Sequence, residues 1–263
     1  MKQLNWHQIF GKSNIPDGRT VLPTDDIQIW LHCANIWDKS YTTLAEVLAD
    51  TDTLTALINS NNAVDYMVRS TTWASGVSAD SSAMTYIGQN NYCANTLLAD
   101  ATWCNAICNS EYFESVLNVK VPVMTSNTTP EGELTGLAHQ NYPLYYAFDN
   151  NANTKWVIID ANGVYIQYQF PRSTRIYFMT WVGNIDSPYL PPTQMVAKGS
   201  SDGMTYDTLK TVTSVPADTN EHSAIFDSAN SYNYYKVECA NRAYSGHNYV
   251  QLSALQFYGR EDV

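Results

Sequence analysis

Charge is scarce in this chain. Asp, Glu, Lys and Arg make up only 15% of its 263 residues, and bases are the scarcer sign, with 14 Lys and Arg against 25 Asp and Glu and a formal net charge of −11. No Lys/Arg cluster stands anywhere along it, which argues against nucleic acid or an anionic membrane as the main partner, because phosphate neutralisation needs such clusters. No apolar run reaches transmembrane length. The start, Met1 to His7, has neither the apolar stretch nor the small-residue cleavage site of a secretory leader. The expectation is therefore a chain folded in a reducing cytoplasm. Disulfides are also missing as a framework. The five cysteines, Cys33, Cys93, Cys104, Cys108 and Cys239, are an odd number without regular spacing, and read as free, buried, small apolar side chains. Cys104 and Cys108 share a helix face, but a four-ligand metal site would need two more donors, and none stands nearby.

Catalytic signatures are missing too. There is no nucleophile elbow, phosphate loop or zinc-binding helix. Asp149 and Asp160 sit in turns, and Glu131 and Glu133 in a Pro/Gly loop, so no carboxylate pair has the setting that glycoside hydrolysis requires. The chain is not expected to be an enzyme. Its polarity comes from Asn, Ser, Thr and 19 Tyr, residues that contact sugars or proteins at little desolvation cost.

Residues 41–120 repeat with a period of ten, as in TDTLTALINS, SSAMTYIGQN and ATWCNAICNS. The seventh position is always apolar: Val47, Leu57, Met67, Val77, Ile87, Leu97, Ile107 and Leu117. The tenth is Asp, Ser or Asn in every block but the last. Apolar spacing of three to four is helical. Ten residues at about 100° each, however, miss three full turns by about 80°, so one continuous helix would wind its apolar stripe around itself. Breaking the helix once per period removes the conflict, and Asp, Ser and Asn are the residues that cap a new start. The pattern predicts a string of two-turn helices stacked in a zigzag, since helices this short persist only against neighbours. Upstream, Thr24-Asp25-Asp26 is positioned to cap a helix through Ile27, Trp30, Leu31, Ala34 and Trp37. Residues 1–25, with turn signals at Pro16-Asp17-Gly18 and Pro23, read as an extended arm whose Trp6, Ile9 and Phe10 dock on a partner.

From Val121 the spacing changes to alternation. Val164, Ile166, Tyr168 and Phe170 alternate with Tyr165, Gln167 and Gln169, and Ile176 and Phe178 continue that style, with Trp181 on the other face. Further strands are predicted at 194–198, 208–215, 223–226, 234–239 and 250–258, with turn signals between them. Tyr232, Tyr234 and Tyr235 read as core and sheet face. The expected architecture is α+β: an extended arm (1–25), a short-helix repeat domain (26–120) and an antiparallel β-sandwich of jelly-roll type (121–263).

Three stretches of the second half occur in a telling order: Ala147-Phe148-Asp149-Asn150-Asn151-Ala152-Asn153-Thr154-Lys155-Trp156, then Gly199-Ser200-Ser201-Asp202-Gly203, then Leu252-Ser253-Ala254-Leu255-Gln256-Phe257-Tyr258-Gly259. Together they resemble the discoidin-like family, also called coagulation-factor type C or galactose-binding-like domains. The resemblance implies a sandwich that holds sugars or lipid headgroups on loops at one end. It also implies a structural calcium at the first motif, here at Asp149 with Thr154. Two positions depart from the family: Asn150 stands where a Gly is usual, and Ala254 where an acid is usual. On the residues alone, Asp149 equally reads as the cap of its turn.

Sugar contacts implied by the resemblance fall on three loops. Asn241, Arg242, Tyr244 and His247 form the richest; His139 and Tyr142 form a second; Tyr189 stands in a Pro-bounded third. An aromatic face covers the C–H face of a pyranose while His, Arg or Asn hold its hydroxyls. The decapeptides, and the block Ser81–Asn90 above all, resemble runs found in bacteriophage virion proteins. That resemblance implies a non-enzymatic phage structural protein, such as a fibre, tail, baseplate or head decoration, located in the virion and assembled in the host cytoplasm. Its arm and helices would bind other virion proteins, its sandwich a glycan, and a homotrimer would multiply weak sugar contacts. The competing expectations are a decoration protein whose sandwich binds only protein and an accessory module of a glycoside hydrolase.

Overall fold

The computed structural model describes residues 26–183, 190–227 and 230–261. The proposed docking arm, 1–25, lies outside them. The chain divides into two compact units between Val116 and Leu117.

The first unit is the string of short helices. These are α1 (Asp26–Cys33), α2 (Leu44–Ala49), α3 (Thr51–Ile58), α4 (Asn61–Met67), α5 (Ala74–Ser78), α6 (Ser81–Gln89), α7 (Asn91–Leu98), α8 (Ala101–Cys108) and α9 (Phe113–Val116); a 3₁₀ turn at Thr71–Trp73 leads into α5. The tenth-position residues cap the helices as their chemistry requires. Asp50 accepts from the Thr53 N–H at 3.0 Å, Asp80 from Ala83 at 2.8 Å, Asn90 from Cys93 at 2.9 Å and Asp100 from Trp103 at 3.1 Å. Ser60 does the same to Ala63 at 3.4 Å. Ser70 makes no such bond, and its helix alone begins with a 3₁₀ turn. Within the blocks, the third, fourth and seventh positions from Thr53 to Ile107 are buried and the first two exposed.

The packing contains an order the period alone does not reveal. Each helix from α2 to α4 and from α5 to α9 packs on the next in sequence, and each also packs on the helix three along: α1 on α4, α2 on α5, α3 on α6, α4 on α7, α5 on α8 and α6 on α9. The array is therefore a spiral with three helices per turn. Polar ties cross successive turns. The Asn90 Nδ2 donates to Asn59 Oδ1 at 3.0 Å, the Tyr92 hydroxyl to Asp65 at 2.6 Å, and the Ser60 hydroxyl to the Cys33 carbonyl at 3.1 Å. Gly88 is required where turns meet, since a Cβ there would lie 1.8 Å from the Ser115 carbonyl oxygen. The eighth block departs from the beat: α9 stops at Val116, and Val119 and Lys120 pair with the last strand of the second unit.

The second unit is an antiparallel β-sandwich, as the alternation predicts. Its strands are β1 (Val119–Lys120), β2 (Glu133–Gly136), β3 (Trp156–Ile159), β4 (Val164–Val182), β5 (Gln194–Ser200), β6 (Asp207–Thr213), β7 (Glu221–Ile225), β8 (Ser231–Ala240), β9 (Arg242–Tyr244), β10 (His247–Leu252) and β11 (Ala254–Glu261). The 19-residue β4 serves both layers. Its first half lies between β2 and β8, with β5 and β6 beyond; its second half lies between β11 and β7, with β1 beyond. The switch falls at the exposed Pro171-Arg172-Ser173, where Pro cannot donate to a ladder. Between the layers Ile166, Tyr168, Phe170, Tyr235 and Val237 meet Ile176, Met179, Trp181, Leu255 and Phe257.

Two strand expectations need correction. Phe178 does not share the core face of Ile176. The register with β11 skips Tyr177, pairing Phe178 with Tyr258 and Ile176 with Gly259. That bulge reverses the alternation, bringing Met179 and Trp181 inward while Phe178 stacks on the Tyr258 ring at 4.9 Å. Gly259 allows the close approach, because a Cβ there would meet the Arg175 carbonyl oxygen at 2.1 Å. The single strand expected at 250–258 is in fact two. It breaks at Ser253, whose N–H donates to the Val182 carbonyl at 3.1 Å, and β10 joins a separate three-stranded sheet with β3 and β9.

Candidate functional site

The small sheet β3–β10–β9 carries the richest cluster. Ser245 and Gly246 both have positive φ, 51° and 84°, which makes the two-residue hairpin turn between β9 and β10. The register pairs Tyr244 with His247, and Tyr249 with both Arg242 and Ile159. Paired residues share a face, so Tyr244, His247, Arg242, Tyr249 and Ile159 stand on one side. The opposite side sends Trp156, Ile158, Val250 and Leu252 into the core. Tyr244 is 48% exposed and Ile159 39%. The His247 ring lies edge-on to Tyr249 at 6.2 Å.

Asp160 orients this face. It adopts a positive φ of 52° just past β3. Its Oδ2 lies 2.6 Å from His247 Nδ1 and its Oδ1 accepts from the Asn248 N–H at 2.8 Å. The His247 bond, then the Asn248 N–H, hold its carboxyl below the usual range. With Nδ1 fixed and the ring 55% exposed, Nε2 is left for a ligand.

Arg242 has a different role from the one expected. Its Nε donates to the Pro191 carbonyl at 2.9 Å, and its Nη2 to the carbonyls of Val215 at 2.9 Å and Pro192 at 3.4 Å. The guanidinium thus ties two loops to β9 and positions the platform. Asn241 is likewise structural: its Nδ2 donates to the Ala161 carbonyl at 2.8 Å, and its Oδ1 is buried without a partner among the described residues. Tyr189 lies outside the described residues.

His139 and Tyr142 form a second, separate group. Their backbones bridge, their rings lie 5.5 Å apart, and Lys155 Nζ sits 5.6 Å from the centre of the Tyr142 ring. Trp156 fixes the loop by donating from Nε1 to the Leu137 carbonyl at 2.8 Å. Lys155 and Asp160 stand at opposite ends of β3, five residues and about 16 Å apart along an extended strand. The two groups therefore cannot grip the same monosaccharide.

The turn at Asp149 is closed by its own bonds. Thr154 Oγ1 donates to Asp149 at 2.7 Å, Asp149 Oδ1 accepts from the Asn151 N–H at 3.0 Å, and Asn150 takes a φ of 52°. This is one carboxylate capping a turn. Calcium takes roughly six to eight oxygens, usually with several carboxylates, and no cluster of three or more His, Cys, Asp or Glu fit for a metal occurs among the described residues. The donor set does not fit the calcium site that the resemblance implies.

Sequence reasoning missed Asp160, Tyr249 and Ile159, which the register brings to the face. Tyr249 was legible, two residues past His247 in an alternating strand. It also missed a second pair, His222 Nε2 and Asp218 Oδ1 at 2.7 Å, with the Trp181 ring stacked on His222 at 5.7 Å. In the helical unit, an open groove of about 580 Å³ runs between α5 and α8, lined by Thr71, Thr72, Ser75, Thr102, Asn105 and Asn109 among others.

No protein-family model matches the chain, and no curated protein matches it. Among solved structures it is similar to a family 32 carbohydrate-binding module of Clostridium perfringens NanJ in complex with galactose. The TM-score is 0.44 at 14% identity, over 53% of this chain and 99% of that one. It is also similar to the C. perfringens module CpGH89CBM32-5 in complex with GalNAc-β-1,3-galactose, with TM-score 0.44, 13% identity and coverage of 51% and 100%. A chitosan-binding module from the chitosanase/glucanase of Paenibacillus sp. IK-5 scores 0.41 at 17% identity, covering 51% and 96%.

Proposed function

We propose that the sandwich is a non-catalytic glycan-binding module, that its ligand lies on the outer face of β3–β10–β9, and that the chain serves in a phage particle. One observation carries the sugar reading: Tyr244 and His247 stand side by side on an open sheet face, with His247 held by Asp160. The tyrosine ring offers a surface for the C–H face of a pyranose, and His247 Nε2 offers a hydrogen bond to a hydroxyl. Tyr249 and Ile159 extend the apolar floor. The particle setting rests on the decapeptide resemblance, with the helical unit attached to other virion proteins and a homotrimer multiplying weak contacts.

A glycan array with the purified full chain tests the sugar reading. Binding should appear for at least one glycan and fall about tenfold or more in Tyr244→Ala and in His247→Ala; the Tyr244→Ala melting curve should stay unchanged, while His247→Ala also gives up its bond to Asp160. A blank array, with the protein still incorporated into particles, overturns it in favour of a module that binds only protein. Turnover of a polysaccharide would overturn the non-catalytic assignment.

A further inference from the structure

Helix α8 holds a feature that glycan binding does not use. Cys104 and Cys108 stand four residues apart on one face, at the fourth and eighth positions of their block. Their sulfurs are 4.0 Å apart. Both thiols are free, and the residues are 9% and 6% exposed. Cys33, Cys93 and Cys239 are buried in other elements.

We propose that Cys104 and Cys108 form a two-thiolate site for a single soft cation of the copper(I) or silver(I) kind. Metal–thiolate bonds of about 2.3 Å allow two sulfurs to lie up to about 4.6 Å apart across one ion. Two-coordinate copper(I) and silver(I) favour a linear arrangement, so the observed separation of 4.0 Å has to open by only about 0.6 Å, which side-chain rotation supplies. Zinc fits badly, because it takes four ligands and the described residues provide no third His, Cys, Asp or Glu. Soft thiolates select copper(I) over harder ions. The two thiols are also within reach of a shared hydrogen bond in which either sulfur can donate, so neither is committed elsewhere. On binding, two S–H bonds break, two S–metal bonds form and two protons pass to solvent. No oxidant or reductant is consumed.

The test titrates the reduced full-length protein with silver(I) against a competing chelator, with zinc(II) as the contrast. One tight equivalent of silver and none of zinc are expected. Cys104→Ala and Cys108→Ala should each weaken that equivalent about a hundredfold, because the second thiol no longer closes a chelate. Cys93→Ala and Cys239→Ala should keep it. Should the α8 variants fail to fold, the wild-type protein decides by footprinting. Silver should protect Cys104 and Cys108 together from alkylation, as mapped by mass spectrometry. Protection of Cys33, Cys93 or Cys239 instead, protection of none, or a tight equivalent that survives loss of both α8 thiols overturns the proposal.

Discussion

The two units solve the same problem, burying apolar surface, over opposite ranges of sequence. In the helical spiral a residue's partners lie in the next block or three blocks away. In the sandwich, the N–H of Val121 donates to the side chain of Gln256, 135 residues later. The spiral is close to a sum of nearest-neighbour terms, whereas the sandwich closes long loops before its contacts form. A defect in one is local; a defect in the other removes the reason for distant segments to meet.

Substitutions can sharpen that contrast. The largest effect is expected from Trp156→Ala. This fully buried ring packs in the sandwich core and anchors the Leu137 loop. Its loss should cost about 3–5 kcal/mol, read as a shift of the urea midpoint of the second unit. Next comes Gly88→Ala. Its methyl would collide with backbone of α9 rather than with a yielding side chain, at a cost of about 1–3 kcal/mol or more, and hydrogen exchange should rise mainly in α6 and α9. A spread of that damage across every described helix would show the spiral to be one cooperative block. Asn90→Ala removes a cap and the tie to Asn59, and should cost about 1 kcal/mol, read from the same denaturation curves.

Acid separates the hairpin from the rest with a smaller signal. Asp160 is held below its ordinary value of 3.8, first by His247 and then by the Asn248 N–H. Its stabilising contribution is therefore complete above that pH and disappears as pH falls through the lowered value. The side-chain carboxyl carbon resonance of Asp160 should make its main step below pH 3.8. A midpoint above the ordinary value would contradict the arrangement. The smallest effect is expected from calcium. Because Asp149 is capped by Thr154 and Asn151, the melting temperature should not change between EDTA and added calcium. A clear rise with calcium would restore the metal reading.

How much the sequence revealed follows the same divide. The blocks were legible because a cap at position ten and an apolar residue at position seven are local facts. The threefold winding was not legible, since which helix lies beside which depends on the angle at each junction. In the sandwich, alternation marked most strands. It could not show the bulge at Tyr177, which turned Phe178 away from the core face of Ile176, or the break at Ser253. In the sequence Arg242 reads as a sugar ligand because the family resemblance and its grouping with Tyr244 and His247 point that way. Its true partners are the carbonyls of Pro191, Pro192 and Val215, and backbone oxygens leave no mark in a sequence. Asp160 was set aside as a turn residue for the converse reason: its partner, His247, lies 87 positions away.

The three-helix winding also constrains how such a chain can change length. Adding one decapeptide would swing the outgoing polypeptide by about a third of a circle, whereas adding three would lift it by one storey and restore its bearing. Length and aim are thus coupled, and only growth in steps of thirty residues leaves whatever follows the spiral pointing the same way.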